Sequence, residues 1–410
     1  MMKPRYSPEK EASRGSAIIT VTVILLVVLS MLGILFRVLF TSHAEQVQSR
    51  NDLRALYVAE SGLGEAYLDI ELGGTGVVGS QEDPRSFGDA TYWVGVENLG
   101  FRVYALEGTG VDSGARKRIE VIVREIPDGQ FQYAAFGKEG VLFSASSFVD
   151  SYDSSLGSYA SQYESSAGYA ATHGNVGSDG DIVMRTNSEI WGNATPGPEG
   201  QVIFDGPNAT VSGTTQPMED EIVLPPITVP AFASEGAIMT RRGDSVVLSG
   251  DHHFDGVQVA AGAEVVVQGP ARIVFDDFLL DSNSLMTVDA SSGPVEIYCT
   301  GDVVMRSNSD LVTHTMQPRD VSLLITSNNV DGDPLDTVEF SANSEYVGIL
   351  YAPNAHVELK ARFEVFGTAT ARSIHLASNS ALHYDTNLLF DDDNGPPVFE
   401  SVSWRPIALE

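Results

Sequence analysis

The residues from Ala17 to Phe36, AIITVTVILLVVLSMLGILF, are apolar or small over 20 positions with no charge among them. At about 1.5 Å of rise per residue, a helix of that length spans the ~30 Å hydrocarbon core of a bilayer. Its β-branched residues disfavour a helix in water, but lipid offers backbone groups no outside partner and so imposes one. Beyond the run the pattern turns amphipathic, with Val47, Leu53, Leu56, Tyr57, Leu63, Ala66, Tyr67 and Ile70 recurring mainly at helical spacings. Gly73-Gly74 supplies a C-cap and a break. Together the segments predict one helix from residue 17 to about 72, membrane-embedded in its first half and packed along one face in its second.

Further on, the period changes to two. TYWVGVE, FRVYALEGTG and KRIEVIVREI, between residues 91 and 126, are separated by short turn-prone loops and read as an antiparallel meander that covers the helix. From residue 150 the stretch DSYDSSLGSYASQYESSAGYAATHGNVGSDGD is rich in Ser, Gly, Tyr and Ala with little periodicity, and is expected to be a surface connector.

The second half repeats. Thr186-Asn187-Ser188, Ser282-Asn283-Ser284, Ser307-Asn308-Ser309, Ala342-Asn343-Ser344 and Ser378-Asn379-Ser380 each place an asparagine beside short β-rich runs, the last four separated by 25, 35 and 36 residues. A second cassette, Gly206-Pro207-Asn208-Ala209-Thr210-Val211, recurs as Ala352-Pro353-Asn354-Ala355-His356-Val357. Short strands with equivalent turns every ~20–40 residues are the pattern of a parallel β-solenoid. Asparagine suits its corners, since it tolerates the left-handed conformation and its amide can bond to the equivalent amide one coil away. An antiparallel sandwich is the rival, but Asn394-Gly395 is the only Asn-Gly hairpin signal in the chain.

Charge sharpens the membrane reading. The net charge is −31, from 24 basic and 55 acidic residues. Lys3, Arg5, Lys10 and Arg14 precede the apolar run against Glu9 and Glu11, which keeps a short N-terminus cytoplasmic and sends the rest outward. The 20 basic and 53 acidic residues that remain make the exported part strongly acidic, a solubility feature that leaves no place for nucleic acid as a partner. A cleaved secretory signal is the alternative, but the run is longer than the ~7–15 residues of such a signal and no A-x-A-like site follows it. The lone Cys299, in the apolar-flanked strand VEIYCTG, excludes an internal disulfide framework and is expected to be buried.

Arg14-Gly15-Ser16-Ala17-Ile18-Ile19, the apolar segment, and Ala55-Leu56-Tyr57-Val58-Ala59-Glu60-Ser61-Gly62-Leu63 together resemble the N-terminal region of PilX-type type IV pilus assembly proteins, over roughly residues 14–65. The segment GILYAPNAHVELKARFEVFGTATARSIHLASNSALHYD also resembles the C-terminal domain attached to such N-termini. The resemblance implies leader cleavage after Gly15, with Ser16 as the mature N-terminus, and a helix-plus-meander arrangement of pilin type. Typical pilins have glutamate at the fifth mature position, where this chain has Thr20, so no carboxylate is desolvated in lipid and no charge pair guides docking.

Candidate chemistry is sparse. Asp276-Asp277, Asp302, Asp310 and His314 are the residues a polysaccharide-cleaving β-helix could use, yet nothing in their spacing converges and strand-end aspartates are ordinary turn formers. Asp331, Asp333 and Asp336 have oxygen-ligand spacing for Ca²⁺, but Pro334 interrupts them and the distal glutamate of a calcium loop is absent. No G-x-S-x-G elbow or H-E-x-x-H occurs, and His252-His253 are expected on opposite strand faces. Arg116-Lys117-Arg118 reads as a solvated strand start.

The fold class expected is α+β followed by all-β: a transmembrane and amphipathic helix with a small antiparallel pilin-like sheet, then a parallel β-helix. The domains are a cytoplasmic leader (1–16), a transmembrane helix (17–40), a pilin-like helix and meander (41–127), a connector (128–185), a solenoid (186–390) and a C-terminal tail (391–410). The function expected is structural and non-enzymatic: a pilus assembly or minor pilin-like protein, held by one membrane pass, displaying its exported solenoid. Partners would be other pilin subunits and a surface or glycan, with no cofactor. The alternatives are a membrane-tethered carbohydrate-active β-helix enzyme and a surface adhesin unrelated to pili.

Overall fold

The computed structural model describes residues 14–100, 102–125, 131–327, 338–390 and 398–407. The chain divides into two compact units, residues 1–126 with 395–410, and residues 127–394. The second is thus inserted in sequence between two segments of the first.

In the first unit, helix α1 (Arg14–Glu71) runs for 58 residues. Its end follows the glycine signal: Gly73 takes φ 81° while Gly73 N donates to the Ile70 carbonyl and Gly74 N to that of Asp69. Strands β1 (Arg85–Phe87), β2 (Ala90–Gly100), β3 (Val103–Asp112) and β4 (Ala115–Glu125) form an antiparallel sheet, which the strand Phe399–Ile407 extends by pairing with β4. That last strand corrects the reading of 391–410 as a tail. Pro406 weakens its strand signal, yet a proline is tolerated where one side of the strand needs no ladder bond. Phe399 anchors the strand: it is buried, its ring meets Tyr67 and Tyr104 edge-on, and its carbonyl accepts from Tyr67 Oη at 2.5 Å.

The face of α1 that packs overlaps the expected one, with Leu63, Ala66 and Ile70 in common, and is shifted toward small residues. Ala55, Val58, Ala59, Leu63, Ala66 and Ile70 are buried, whereas Val47, Leu53 and Tyr57 are exposed. Small residues win because the sheet comes close. A Cβ on Gly110 of β3 would collide with the Ala55 carbonyl, and one on Gly108 would lie 2.7 Å from the Leu63 side chain. Helix and sheet therefore share a core of Ala59, Leu63, Tyr92, Val94, Leu106, Ile119 and Val123.

The second unit is a stack of parallel strands, each paired in register with equivalents one coil away; Val295–Cys299, for example, lies between Ala271–Phe275 and Val321–Ile325. The stack resembles a solenoid without being closed. Ten residues of positive φ form one column among the described residues: Gly243, Gly262, Asn283, Asn308, Asn343, Arg362, Asn379, Ser146, Asn187 and Asn208. Strand register places each beside the next. The asparagine repeat is thus a left-handed corner, and coils that use Gly, Arg or Ser there escape a search for asparagine. The serine that follows closes the corner, since Ser147, Ser188, Ser309 and Ser380 each donate their hydroxyl to the carbonyl three residues back. Of the expected amide-to-amide bonds, Asn208 Nδ2 to Asn187 Oδ1 forms, at 3.0 Å. The second cassette is not equivalent in structure: Asn208 sits at a corner, whereas Asn354 lies inside the strand Glu345–Leu359, where the register shifts.

The order of coils corrects the connector as well. Residues 128–185 carry the strands Ala135–Phe143, Phe148–Tyr152, Val176–Ser178 and Asp181–Arg185, which belong to the stack. Short strands separated by Ser- and Gly-rich stretches leave little periodicity to read. The chain therefore enters the stack part-way along it. It builds outward to Thr210–Val211, crosses to the far end at Ala237–Met239, and builds back until Glu364–Leu376 and Ala381–Asp385 pair with Ala135–Phe143 and Phe148–Tyr152. The crossing segment is tied down by Ile222 N to Asp179 Oδ1 at 2.9 Å and by Tyr351 Oη to the Pro225 carbonyl at 2.6 Å.

Candidate functional site

Two features could carry function: the exposed half of α1 and the polar cluster where the two chain runs of the stack meet. Every large apolar residue from Ile18 to Phe40 is exposed in the isolated chain, from 45% for Val28 to 71% for Phe40. Soluble packing leaves such a stretch uncovered only where another apolar medium receives it. The segment is the one candidate membrane span among the described residues. Gly15 and Ser16 lie in the first turn of α1.

At the joint of the stack, Asp150 is fully buried on Phe148–Tyr152 and faces His383 on Ala381–Asp385, with His383 Nδ1 2.7 Å from Asp150 Oδ1. Asp150 Oδ2 accepts from Tyr159 Oη and from Ala170 N, both at 2.9 Å. Tyr159 and Phe366 lay their rings against the imidazole, with centroids 3.8 and 4.7 Å away. Burial, reinforced by Asp150, pushes the Tyr159 phenol well above its ordinary value, so it remains a donor. Asp150, Tyr159 and His383 Nδ1 are spent on one another, while His383 Nε2 lies 4.0 Å from Glu364 Oε2. The cluster holds two stretches of chain together.

Beside it, Asp310, Glu345 and Glu364 stack in register on three successive coils. Burial, then the neighbouring Asp310 and Glu364, raises the Glu345 carboxyl above its ordinary value, with His383 opposing. Asp310 spends Oδ1 on Glu345 N at 2.9 Å.

Of the other sequence candidates, three come together and the rest lie apart. Asp276, Asp277 and Asp302 meet at one corner, where Asp277 Oδ1 accepts from Asp302 N at 3.1 Å and Asp276 Oδ1 serves Thr300 and His253, each at 3.1 Å. His314 is on a different corner, donating its backbone N–H to the Val288 carbonyl. Asp331, Asp333 and Asp336 lie outside the described residues, and no group of three His, Cys, Asp or Glu that could hold a metal occurs among the described ones. His252 and His253 do diverge, to Glu235 and to Asp276 with the Phe232 carbonyl. The basic triplet is partnered: Arg116 lies over Trp93, Lys117 is 3.2 Å from Asp52, and Arg118 is 3.2 Å from Glu107. Cys299 is fully buried and burial raises its thiol, which removes it from thiolate chemistry.

A family model described as a domain of unknown function (DUF7305) matches residues 226–389. That segment holds the coils built after the crossing and leaves those of residues 131–211 outside it. No curated protein matches. Among solved structures, the crystal structure of the competence-associated pilin ComZ from Thermus thermophilus is similar over 87% of this chain and 97% of that chain, with 11% identity and a TM-score of 0.30.

Proposed function

We propose that the protein is a membrane-anchored, type IV pilus-related structural subunit of PilX type, with its acidic body exported and its parallel stack serving as a β-solenoid for display or adhesion. One observation carries the reading. A single helix leaves its large apolar side chains bare from Ile18 to Phe40, with one charge, Arg37, among them, then packs Ala55–Ile70 on an antiparallel sheet that the last strand, Phe399–Ile407, completes. An anchor alone needs no such sheet; a subunit that must keep a long helix rigid and correctly presented does. The resemblance of residues 14–65 to PilX-type N-termini, with the Arg14-Gly15 pair ahead of the apolar run, supports the same assignment.

Other pilin subunits would be the partners of the helix, and a surface or glycan the partner of the stack. Gly15 would be the processing site and Ser16 the new terminus. Fractionation of native cells tests this reading. It expects the chain in the membrane fraction and in sheared filaments, with the body digested by protease added outside the inner membrane. Membrane retention without any filament pool would favour a pilus-independent adhesin, and a fully soluble chain would overturn the anchor itself.

A further inference from the structure

On the outer face of the stack, Glu358, His375 and Leu142 occupy one position on three successive coils, while His356, Ser373 and Gly140 occupy the position two residues earlier. His375 Nε2 lies 2.9 Å from Ser144 Oγ, and its other ring nitrogen, Nδ1, lies 3.6 Å from Glu358 Oε1. A hydroxyl at one imidazole nitrogen and a carboxylate at the other is the arrangement in which the ring takes the serine proton while the carboxylate orients it. We infer that Ser144, His375 and Glu358 form a nucleophile, base and positioning carboxylate that cleave small neutral acyl esters.

Several observations support this. Ser144 is held firmly: its N–H donates to the Leu376 carbonyl at 2.8 Å and its carbonyl accepts from Ser147 Oγ at 2.7 Å. Preorganisation of that kind is what a nucleophile requires. Burial, with His356 and Arg185 acting in the same direction against Glu358, holds His375 below its ordinary value, so the ring is neutral and free to accept a proton near pH 7. His375 lines an open groove of about 510 Å³ together with His356, Ser373 and the apolar Leu142 and Val183. Glu139 and Asp181 line the same groove and disfavour anionic esters. Ser144 is only 8% exposed and is not among the residues that line the groove, so an acyl group must be slim, such as acetyl, to reach it beside His375.

The step balances with water as the only co-reactant. Ser144 Oγ bonds to the acyl carbon as its proton passes to His375 Nε2; the ester C–O bond breaks and the alcohol leaves with that proton. Water, deprotonated by the same nitrogen, then releases the acid and restores the hydroxyl. Membrane location plays no part in this chemistry, so the inference stands or falls apart from the anchoring proposal.

The test uses the purified full-length chain in detergent, a fluorophosphonate probe with adduct mapping by mass spectrometry, and p-nitrophenyl acetate as substrate. A phosphonyl adduct on Ser144 is expected. Ser144→Ala should lose the adduct and roughly a hundredfold or more of the hydrolysis rate. Glu358→Gln should lower kcat with KM kept, and the rate should rise with pH around a midpoint below the ordinary histidine value. Each variant is checked by its melting curve. Folded wild-type protein with no adduct at Ser144, or folded Ser144→Ala that keeps the wild-type rate, would overturn the inference and leave the Ser144–His375 bond as a corner contact.

Discussion

Replacing Asp150 with alanine should cost the stack about 3–5 kcal/mol, because three donors lose one fully buried acceptor and each donor left unsatisfied costs ~1–3 kcal/mol before coupling is counted. The structure sets that figure. Asp150 is fully buried and accepts three hydrogen bonds, from His383 Nδ1 at 2.7 Å and from Tyr159 Oη and Ala170 N at 2.9 Å. A bond to a charged acceptor contributes ~1.5–3 kcal/mol, so three independent ones would exceed the expected total. They are not independent, because the donors share one carboxylate and Tyr159 can regain water once the loop it lies on loosens. His383, only 3% exposed, cannot, and carries most of the penalty. The loss should fall where the two chain runs meet, Phe148–Tyr152 against Ala381–Asp385. Urea denaturation of the full chain in detergent gives the total, and hydrogen exchange of peptides covering those two strands gives the location. Asp150→Asn, which keeps the shape and part of the bonding, should fall between alanine and wild type. A loss below ~1 kcal/mol for alanine, with exchange at the joint unchanged, would refute the reasoning, since a carboxylate so buried and bonded cannot be removed that cheaply.

Two further outcomes follow from the corner column and the acidic column. Asn308, at φ 59°, should tolerate glycine to within about half a kcal/mol but lose ~1–2 kcal/mol or more as Asn308→Val, because a β-branched side chain is poorly accommodated in the left-handed region; equal urea midpoints for the two variants would contradict the corner assignment. Glu345→Gln should stabilise the chain at neutral pH by roughly 0.2–1 kcal/mol for each like-charged neighbour relieved, Asp310 and Glu364. A carboxyl raised by folding penalises the native state only when ionised, so the gain should be present above the folded value and vanish as pH falls through the ordinary carboxylate range. Melting curves across that range check it, and a gain that grows on acidification would contradict the cause given.

Local chemistry made part of this fold legible. Gly73-Gly74 marks the end of α1, and the x-Asn-Ser repeat marks a real corner, because a left-handed residue and a closing hydroxyl are both requirements of the backbone at that point. What sequence could not show is pairing across distance. Nothing near Phe399 announces that it packs on Tyr67 and Tyr104, and nothing near Ala135 announces a partner at Ala369. The packed face of α1 is legible only in part for a related reason: Leu63, Ala66 and Ile70 do pack, but close approach to Gly108 and Gly110 favours Ala55 and Ala59, whereas the apolar pattern also selects the exposed Leu53 and Tyr57. Of the residues with chemical potential, Asp276 and Asp277 make corner bonds, whereas Asp310 belongs to a strand. Ser144, His375 and Glu358 lie in three separate stretches that only the register brings together.

The mass of the mature N-terminus from native cells decides whether α1 is processed and enters a pilus-type assembly as proposed. A chain beginning at Ser16, recovered with sheared filaments, is the predicted result. A native chain that still begins at Met1 or Met2 and never appears in filaments would contradict it.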